Sequence, residues 1–553
     1  MRITLAQINP TVGDFKGNCE KILNGIAVAK EKKSDIVIFP ELALCGYPPD
    51  DFLFLPGFIQ AMDQFLEKII EVSQDIFVIV GVARQNLECQ GKPLFNSAAI
   101  IHNQTLVGFQ DKILLPTYDV FDERRYFEPG SKALVWAVKG KKIAITLCED
   151  IWQHGCIGRE VRYVHDPIKE FISQKPDLLI NLSASPFEQN KCTDRFAVCE
   201  KAAKTLKCPV LLCNQVGGND SLIFDGYSLY LDAEGHLIDH AKGFQEDFIV
   251  VDLEQKRELK QFKINKTEDL YKALVLGVKD YFQKLGFKKA CLGISGGIDS
   301  ALVACVAVDA LGKDNVLGLM MPSRFSSKES EEDGRRLMQN LGMSYETISI
   351  EKPFQCFLDL LEPFFEGRPF DVTEENLQAR IRGMILMAFS NKFGSILLST
   401  GNKSEMAMGY ATLYGDMCGG LGVISDVAKA QVYELSRWVN RKREIIPQNT
   451  IKKPPSAELR KDQLDSDTLP DYTIVDNVLT SYVEEHLSAE LIAEKYHYPL
   501  RLVYDLIRKI HLNEYKRRQS PPGLKVTSRA FSIGRRFPVV QGFVSRYRND
   551  LEN

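Results

Sequence analysis

The segment LGISGGIDSALVA, Leu292–Ala304, constrains what the second half of this chain can fold into more than any other stretch. An apolar run ends at Ile294, two glycines flanked by serines follow, and after Asp299 a second apolar run begins. Such a string reads as a strand that turns at once into a helix. Glycine lets backbone N–H groups approach an anion closely, and a helix N-terminus favours negative charge there. Ser295 and Ser300 can add hydroxyl donors, whereas Asp299 would repel bare phosphate and is expected to hold magnesium. The lysine of a GxxxxGK[ST] nucleotide loop is missing.

Around this turn the text alternates: KACLGIS, ALVACVAVDALG, VLGLMMP, KESEEDGRRLMQNLG, YETISI and, after further helical stretches, SILLST. Strand and helix in regular succession predict a doubly wound parallel sheet. Upstream, residues 1 to about 260 carry short β-type runs such as RITLAQI, DIVIFP, IFVIVGVA, KIAITLC and DLLINLSA, bounded mostly by Gly, Pro, Asn or Asp. Helical periodicity over 18–32 and 58–73 predicts sheets covered by helices. The charged, weakly periodic stretch LEQKRELKQFKINKT separates the two rhythms, and domains of residues 1–262 and 263–553 are expected. The Pro-, Asp- and Lys-rich segment 452–472 is expected to be a loop, ordered or mobile.

Bulk properties narrow the class of function. The 553 residues are 45% apolar and 26% charged, an ordinary globular balance. A net charge of -4 leaves no overall footprint for nucleic acid or an anionic membrane, so small-molecule substrates are expected. None of the thirteen cysteines falls in a C-x-x-C pair, which points to reduced thiols and a cytoplasmic protein. The first ten residues lack the apolar core of a signal peptide, and the chain is expected to start as a strand. The longest weakly charged segment, 290–312, contains Asp299 and Asp309, a poor membrane span.

The whole SGGIDS string resembles the pyrophosphate loop of the N-type ATP pyrophosphatases, which cleave ATP between the α and β phosphates. A loop that holds a leaving pyrophosphate needs no lysine on the γ-phosphoryl group. The resemblance implies ATP contacts from Gly293, Ile294, Ser295, Gly296, Gly297, Ile298, Asp299 and Ser300. MPSRFSSKES with Arg324, TEENLQARIRG, STGNKSEMAMGYATLYGD and TSRAFSIGRRFP, in that order, resemble the NAD synthetase family over residues 265–553. This implies that Thr400 contacts ATP, that Asn376 and Lys516 contact deamido-NAD, and that Glu405 serves the metal or the dinucleotide. Asp299 and Glu405 are then the implied Mg2+ ligands, with Lys429 and Ser456 as further ATP contacts. Cys418 and Ser532 depart from the family pattern, which has a smaller residue at each position.

In the first half Glu41, Lys112 and Cys148 each follow a β-type run, so three strand ends could bring them together. A nearby lysine supports thiolate character, a carboxylate can move protons, and the lysine can stabilise an oxyanion. The strings around them resemble the Glu-Lys-Cys triad of the nitrilase family, which implies an αββα sandwich. LLPTYDVFDERRYF further resembles the glutaminase domain of glutamine-dependent NAD synthetases. It implies glutamine contacts from Tyr118, Ser185 and Lys191, with Glu149 as a possible further one.

Both halves in this order imply a carbon-nitrogen ligase. Glutamine would be hydrolysed, its ammonia passed through a protected tunnel, and deamido-NAD amidated through an ATP-derived adenylate, releasing AMP and pyrophosphate. Homo-oligomers built on synthetase-domain dimers are also implied. Two other readings stay open: an ATP-dependent amidotransferase for another carboxylate or carbonyl, and a sensor or scaffold that has lost the chemistry. The presence of Glu41, Lys112, Cys148, Asp299, Thr400 and Glu405 together weighs against the scaffold.

Overall fold

Alternation of apolar side chains organises the first half. The computed structural model describes residues 1–88, 90–155, 163–255, 258–261, 263–461, 463–467 and 469–543. It divides into two compact units, Met1–Asn265 and Lys266–Asn553. Phe262, at the expected domain boundary, lies outside the described residues, as do Cys89 and Cys156 among the cysteines.

The first unit contains strands β1 (Arg2–Gln7), β2 (Ile36–Ile38), β3 (Phe77–Gln85), β4 (Leu94–His102), β5 (Thr105–Asp111), β6 (Val135–Val138) and β7 (Lys141–Leu147). Then come β8 (Leu178–Ser183), β9 (Val210–Asn214), β10 (Val216–Asn219), β11 (Leu222–Asp225), β12 (Leu229–Leu231), β13 (Leu237–His240) and β14 (Asp247–Asp252). One six-stranded sheet runs β14-β1-β2-β3-β4-β5, a second runs β13-β12-β9-β8-β7-β6, and β10 and β11 pair separately. Successive residues of a strand point to opposite faces. Thus Ile3, Leu5, Ile36, Ile38 and Ile79 meet Ile143, Ile145, Leu147, Ile180 and Leu182 in one buried layer.

The residues between them face outward onto helices. Val37, Val78 and Val80 pack with Ile22 and Ile26 of α1 (Phe15–Glu31) and with Met62 and Leu66 of α2 (Phe58–Glu71). Across the other sheet, Ala144, Leu179 and Leu212 pack against α3 (Glu149–Gly155), α4 (Pro167–Ile172) and α5 (Lys191–Leu206). The result is the expected αββα sandwich. Strands β6, β10, β11 and β13 went unread in the sequence because each has only four residues and shows no strand pattern apart from its partner.

Strand direction explains where reactive groups can gather. β2 runs parallel to β3, and two antiparallel steps from β3 through β4 return β5 to the same direction. The carboxyl ends of β2 and β5 therefore lie at one end of their sheet. Gly81 of β3 passes close beneath the segment after β2: a Cβ there would stand 2.2 Å from Leu42 N and 2.4 Å from Pro40 O.

The second unit contains α6 (Lys266–Leu285), β15 (Lys289–Gly293), α7 (Ile298–Leu311), β16 (Val316–Met320), α8 (Lys328–Leu341) and β17 (Ser344–Thr347). It continues through α9 (Glu351–Phe365), α10 (Val372–Phe393), β18 (Ser395–Ser399), α11 (Lys403–Met408), β19 (Leu421–Gly422) and α12 (Lys429–Val439). Its sheet has the order β17-β16-β15-β18-β19, and every pairing is parallel. After β15 the chain builds outward on one side and then returns to build on the other. The carboxyl ends of β15 and β18 therefore flank the crevice where doubly wound sheets bind ligands. Later helices, including Leu500–Leu512, form a second apolar cluster around Val475, Ile492 and Leu506. Over its described residues segment 452–472, expected as a loop, is that apart from the helix ends at Lys452 and Tyr472 and a short turn at Asp465–Asp467.

Gly81→Ala should destabilise the first unit by about 1–3 kcal/mol through overpacking, and it should displace Glu41. A thermal melt together with a glutamine hydrolysis assay checks both effects; wild-type behaviour in both would contradict the close approach.

Candidate active sites

Cys148 is the single residue between β7 and α3, and its φ of +37° is unusual for a side chain with a Cβ. Its N–H donates to Leu182 O at 2.7 Å, which holds the turn against β8. Glu41 follows β2 and Lys112 follows β5, so all three expected residues stand at strand ends. Lys112 Nζ lies 2.6 Å from Glu41 Oε1 and 2.7 Å from Glu123 Oε1. Lys112 is 1% exposed, Glu41 0% and Glu123 5%, so this is a buried cation between two carboxylates.

Each carboxylate is also held by neutral donors. Asn96 Nδ2 donates to Glu41 Oε1 at 2.7 Å, and Ala184 N donates to Glu41 Oε2 at 3.1 Å. Tyr47 Oη donates to Glu123 Oε1 at 2.9 Å. Burial pushes the Glu123 carboxyl up to about 7 against the pull of Lys112. Burial also depresses Lys112, but Glu123 and Glu41 outweigh it and raise the ammonium well above its usual value.

Burial first and Glu41 second push the Cys148 thiol up, against Lys112, which lowers it. Glu123 was quoted within its motif but given no role; a lone Glu in a charged string has no signal until folding buries it beside Lys112.

The expected glutamine contacts gather less tightly. Tyr118 Oη donates to Glu149 Oε2 at 2.9 Å, and Tyr163 Oη donates to Glu149 Oε1 at 3.2 Å. Lys191 pairs with Glu188 at 2.8 Å and stands over the Trp152 ring at 4.8 Å. Ser185 N donates to Asn214 Oδ1 at 2.9 Å. Asn214 Nδ2 in turn donates to Gly226 O, which also accepts from buried Arg195.

In the second unit a cavity of about 320 Å³ opens at the carboxyl ends of β15 and β18. Gly293, Ile294, Ser295, Gly297, Ile298, Asp299 and Ser300 line it, with Thr400, Glu405, Lys429 and Ser456. The serines shape the turn: Gly297 N donates to Ser295 Oγ at 3.1 Å, and Ser300 Oγ donates to Gly297 O at 3.1 Å. Gly296 does not line the cavity. Its φ is +78° and a Cβ would stand 2.1 Å from Ser330 O, so only glycine lets the turn pass α8.

Lys429 Nζ lies 2.6 Å from Asp299 Oδ2 and 3.0 Å from Glu405 Oε1. Burial depresses Lys429 but the two carboxylates outweigh it, raising the ammonium, while burial pushes Glu405 up to about 7. Asn402 Nδ2 donates to Asp299 Oδ1 at 2.8 Å. Two carboxylates thus converge on one cationic atom, a hard-oxygen arrangement that also suits Mg2+.

Other expected residues stand elsewhere. Asn376 Oδ1 accepts from Thr412 Oγ1 at 2.7 Å, and Lys516 Nζ donates to Gly409 O at 2.8 Å and Ala411 O at 2.9 Å. Both hold the loop after α11 and neither lines the cavity. Arg324 is bound to Glu351 outside it, while Ser326 and Ser330 of the same motif are lining residues. Cys418 lines the cavity, whereas Ser532 does not and its hydroxyl is buried with no partner among the described residues. Arg382 was missed: it lines the cavity, donates to Met321 O at 3.0 Å, and burial lowers it to about 10.

Comparison with known proteins gives a family for each half of the chain. Residues 2–260 match the carbon-nitrogen hydrolase family, and residues 270–520 match the NAD synthase family. A glutamine-dependent NAD(+) synthetase of Synechocystis sp. is 45% identical over 551 residues, covering 98% of this chain and 99% of the relative. Its counterpart from Thermotoga maritima is 41% identical over 582 residues, covering 98% and 99%. Among solved structures, a glutamine-dependent NAD+ synthetase from Acinetobacter baumannii in complex with ADP matches with a TM-score of 0.77 and 36% identity over 97% of this chain and 98% of that one. One from Cytophaga hutchinsonii has a TM-score of 0.86 at 21% identity over 100% of both chains, a likeness of fold.

The buried trio carries a pH signature. A carboxyl whose pKa is raised by folding stabilises the fold below its ordinary value of 4.5 and loses that contribution as pH rises through about 7. Wild-type protein should therefore lose stability relative to Glu123→Gln between about pH 5 and pH 8. Paired denaturant titrations across that range measure it; parallel curves would contradict the assignment.

Proposed function

Because the chain belongs to the glutamine-dependent NAD(+) synthetases, ligases that hydrolyse glutamine in the course of making NAD, we propose that its two sites divide the reaction between them as follows. Cys148 attacks the side-chain amide of glutamine while Glu41 takes the thiol proton. Lys112 stabilises the oxyanion, and Glu41 returns the proton as ammonia leaves. Glu41 then activates the water that hydrolyses the thioester. Tyr118, Glu149, Ser185 and Lys191 hold the substrate.

In the second unit the nicotinate carboxylate of deamido-NAD attacks the α-phosphate of ATP. The N–H groups of the Ser295–Ser300 turn hold the departing pyrophosphate at the start of α7, where the helix dipole favours the anion. Ammonia displaces AMP from the adenylate to give NAD. Thr400, Lys429 and Ser456 contact ATP, and Asn376 and Lys516 contact the dinucleotide. Asp299 and Glu405 would hold Mg2+, which neutralises phosphate charge when bound. Ammonia must reach this step unprotonated, since ammonium has no lone pair to attack with.

The observation that carries this reading is Lys112 held 2.6 Å from Glu41 at the strained Cys148 turn. This supports a thiol, a base and an oxyanion cation acting together in acyl transfer. Self-association through the second unit is part of the same reading. Leu360, Phe364, Met384, Met387 and Phe393 of α9 and α10 are exposed, an apolar surface suited to a second copy of the chain. A cytoplasmic location also belongs to it; no described helix is long and apolar enough to cross a membrane.

Purified protein given glutamine, Mg-ATP and deamido-NAD should release AMP and glutamate near one to one, and AMP release should cease without deamido-NAD. Glutamate without AMP would overturn the assignment of the second site. Cys148→Ala should abolish synthesis from glutamine and leave synthesis from ammonium intact; loss of both would contradict separable sites. Asp299→Asn should do the reverse, ending AMP formation while glutamine hydrolysis persists.

A further inference from the structure

Asp150 lies two residues beyond Cys148 and has no part in the mechanism above. It is 1% exposed, and its carboxylate accepts three backbone hydrogen bonds. Oδ1 accepts from Ile113 N at 3.0 Å and Leu114 N at 2.8 Å, and Oδ2 accepts from Leu147 N at 3.0 Å. The first two donors directly follow Lys112, and the third directly precedes Cys148.

The sheet architecture gives this bridge its significance. β5, which leads to Lys112, belongs to one sheet, and β7, which leads to Cys148, belongs to the other, so no strand pairing joins them. Each segment is anchored within its own sheet: Lys112 N donates to Asn96 O of β4 at 2.8 Å, and Cys148 N donates to Leu182 O of β8 at 2.7 Å. Aliphatic packing between the sheets is not directional; the bonds that cross it include Ala184 N to Glu41 Oε2 at 3.1 Å and Cys213 Sγ to Ile38 O at 3.4 Å. At the reacting end, the Asp150 carboxylate supplies directional bonds to both sheets.

We infer that Asp150 is a positioning residue that sets Lys112 against Cys148 for glutamine hydrolysis, an inference that rests on the roles proposed above for those two residues. The chemistry of the side chain fits the task. An ionised carboxylate is acceptor-only and can serve donors on both sides at once. Asparagine cannot: its oxygen can serve one side, but its NH2 group then confronts an N–H on the other. Buried N–H groups that lose their acceptor pull away from the site.

The test measures glutamine hydrolysis and ammonium-dependent NAD synthesis in full-length wild type, Asp150→Ala, Asp150→Asn and Cys148→Ala. Misplacement of a catalytic group by an ångström costs about 100-fold, so kcat with glutamine should fall by about that factor in Asp150→Ala. KM for glutamine and the rate with ammonium should stay at wild-type values. Alkylation of Cys148 by iodoacetamide, followed at the peptide level, should change in rate across pH, because the thiol has shifted relative to Lys112.

A wild-type kcat with glutamine in Asp150→Ala overturns the inference. If that variant loses both activities, Asp150→Asn decides: loss of glutamine hydrolysis alone supports positioning, and retention or loss of both activities overturns it. Cys148→Ala is the separate control. Persistence of glutamine hydrolysis there would overturn the reading of the site itself rather than the role of Asp150.

Discussion

Lys112 is an ammonium group almost wholly removed from water, and the first unit is arranged around keeping it there. Burying an unpaired charge costs several kcal/mol, and removing one partner of a buried pair is strongly destabilising. Glu41 alone would neutralise the lysine, but the structure supplies Glu123 as well, and the surplus negative charge then has to be managed. Asn96, Tyr47 and the N–H of Ala184 do so by donating to the two carboxylates. Burial raises Glu123 to about 7, which lets the trio keep a proton near neutrality. Burial first and Glu41 second push the Cys148 thiol up, which suits a site with a carboxylate base close by.

The second unit uses a related device in a more open setting. Lys429 stands between Asp299 and Glu405, each with 17% of its side chain exposed and facing the cavity. A cation shared by two carboxylates at a cavity wall can be re-partnered by an incoming anion or replaced by a divalent ion. A cation sealed between two carboxylates cannot. The difference follows the chemistry proposed for each site: a fixed oxyanion stabiliser must not move, whereas a site that receives ATP must admit and release charge.

Much of the site was legible in sequence because its parts are local. A Gly-Gly turn between strand and helix appears as a contiguous string, and the structure shows why: Gly296 combines a positive φ with backbone contact at Ser330, which no other residue satisfies. Glu41, Lys112 and Cys148 were legible as residues that close β-type runs. Glu123 and Arg382 were not, because each acquires meaning only through burial beside partners distant in sequence. The upward push on the Cys148 thiol was not legible for the same reason: it comes first from burial and then from Glu41, in a separate segment.

Sequence alone determined the period-2 and strand-helix rhythms, hence two α/β units, along with the residues proposed for acyl transfer and for holding phosphate. These depend on near neighbours, whose sterics and hydrogen bonding act whatever the rest of the chain does. Tertiary structure decided which sheet end each reactive group shares, which carboxylates face which ammonium, and which backbone and side chains Asn376 and Lys516 hold. Burial and electrostatic coupling are sums over surroundings brought together by folding, so no single segment of the chain contains them.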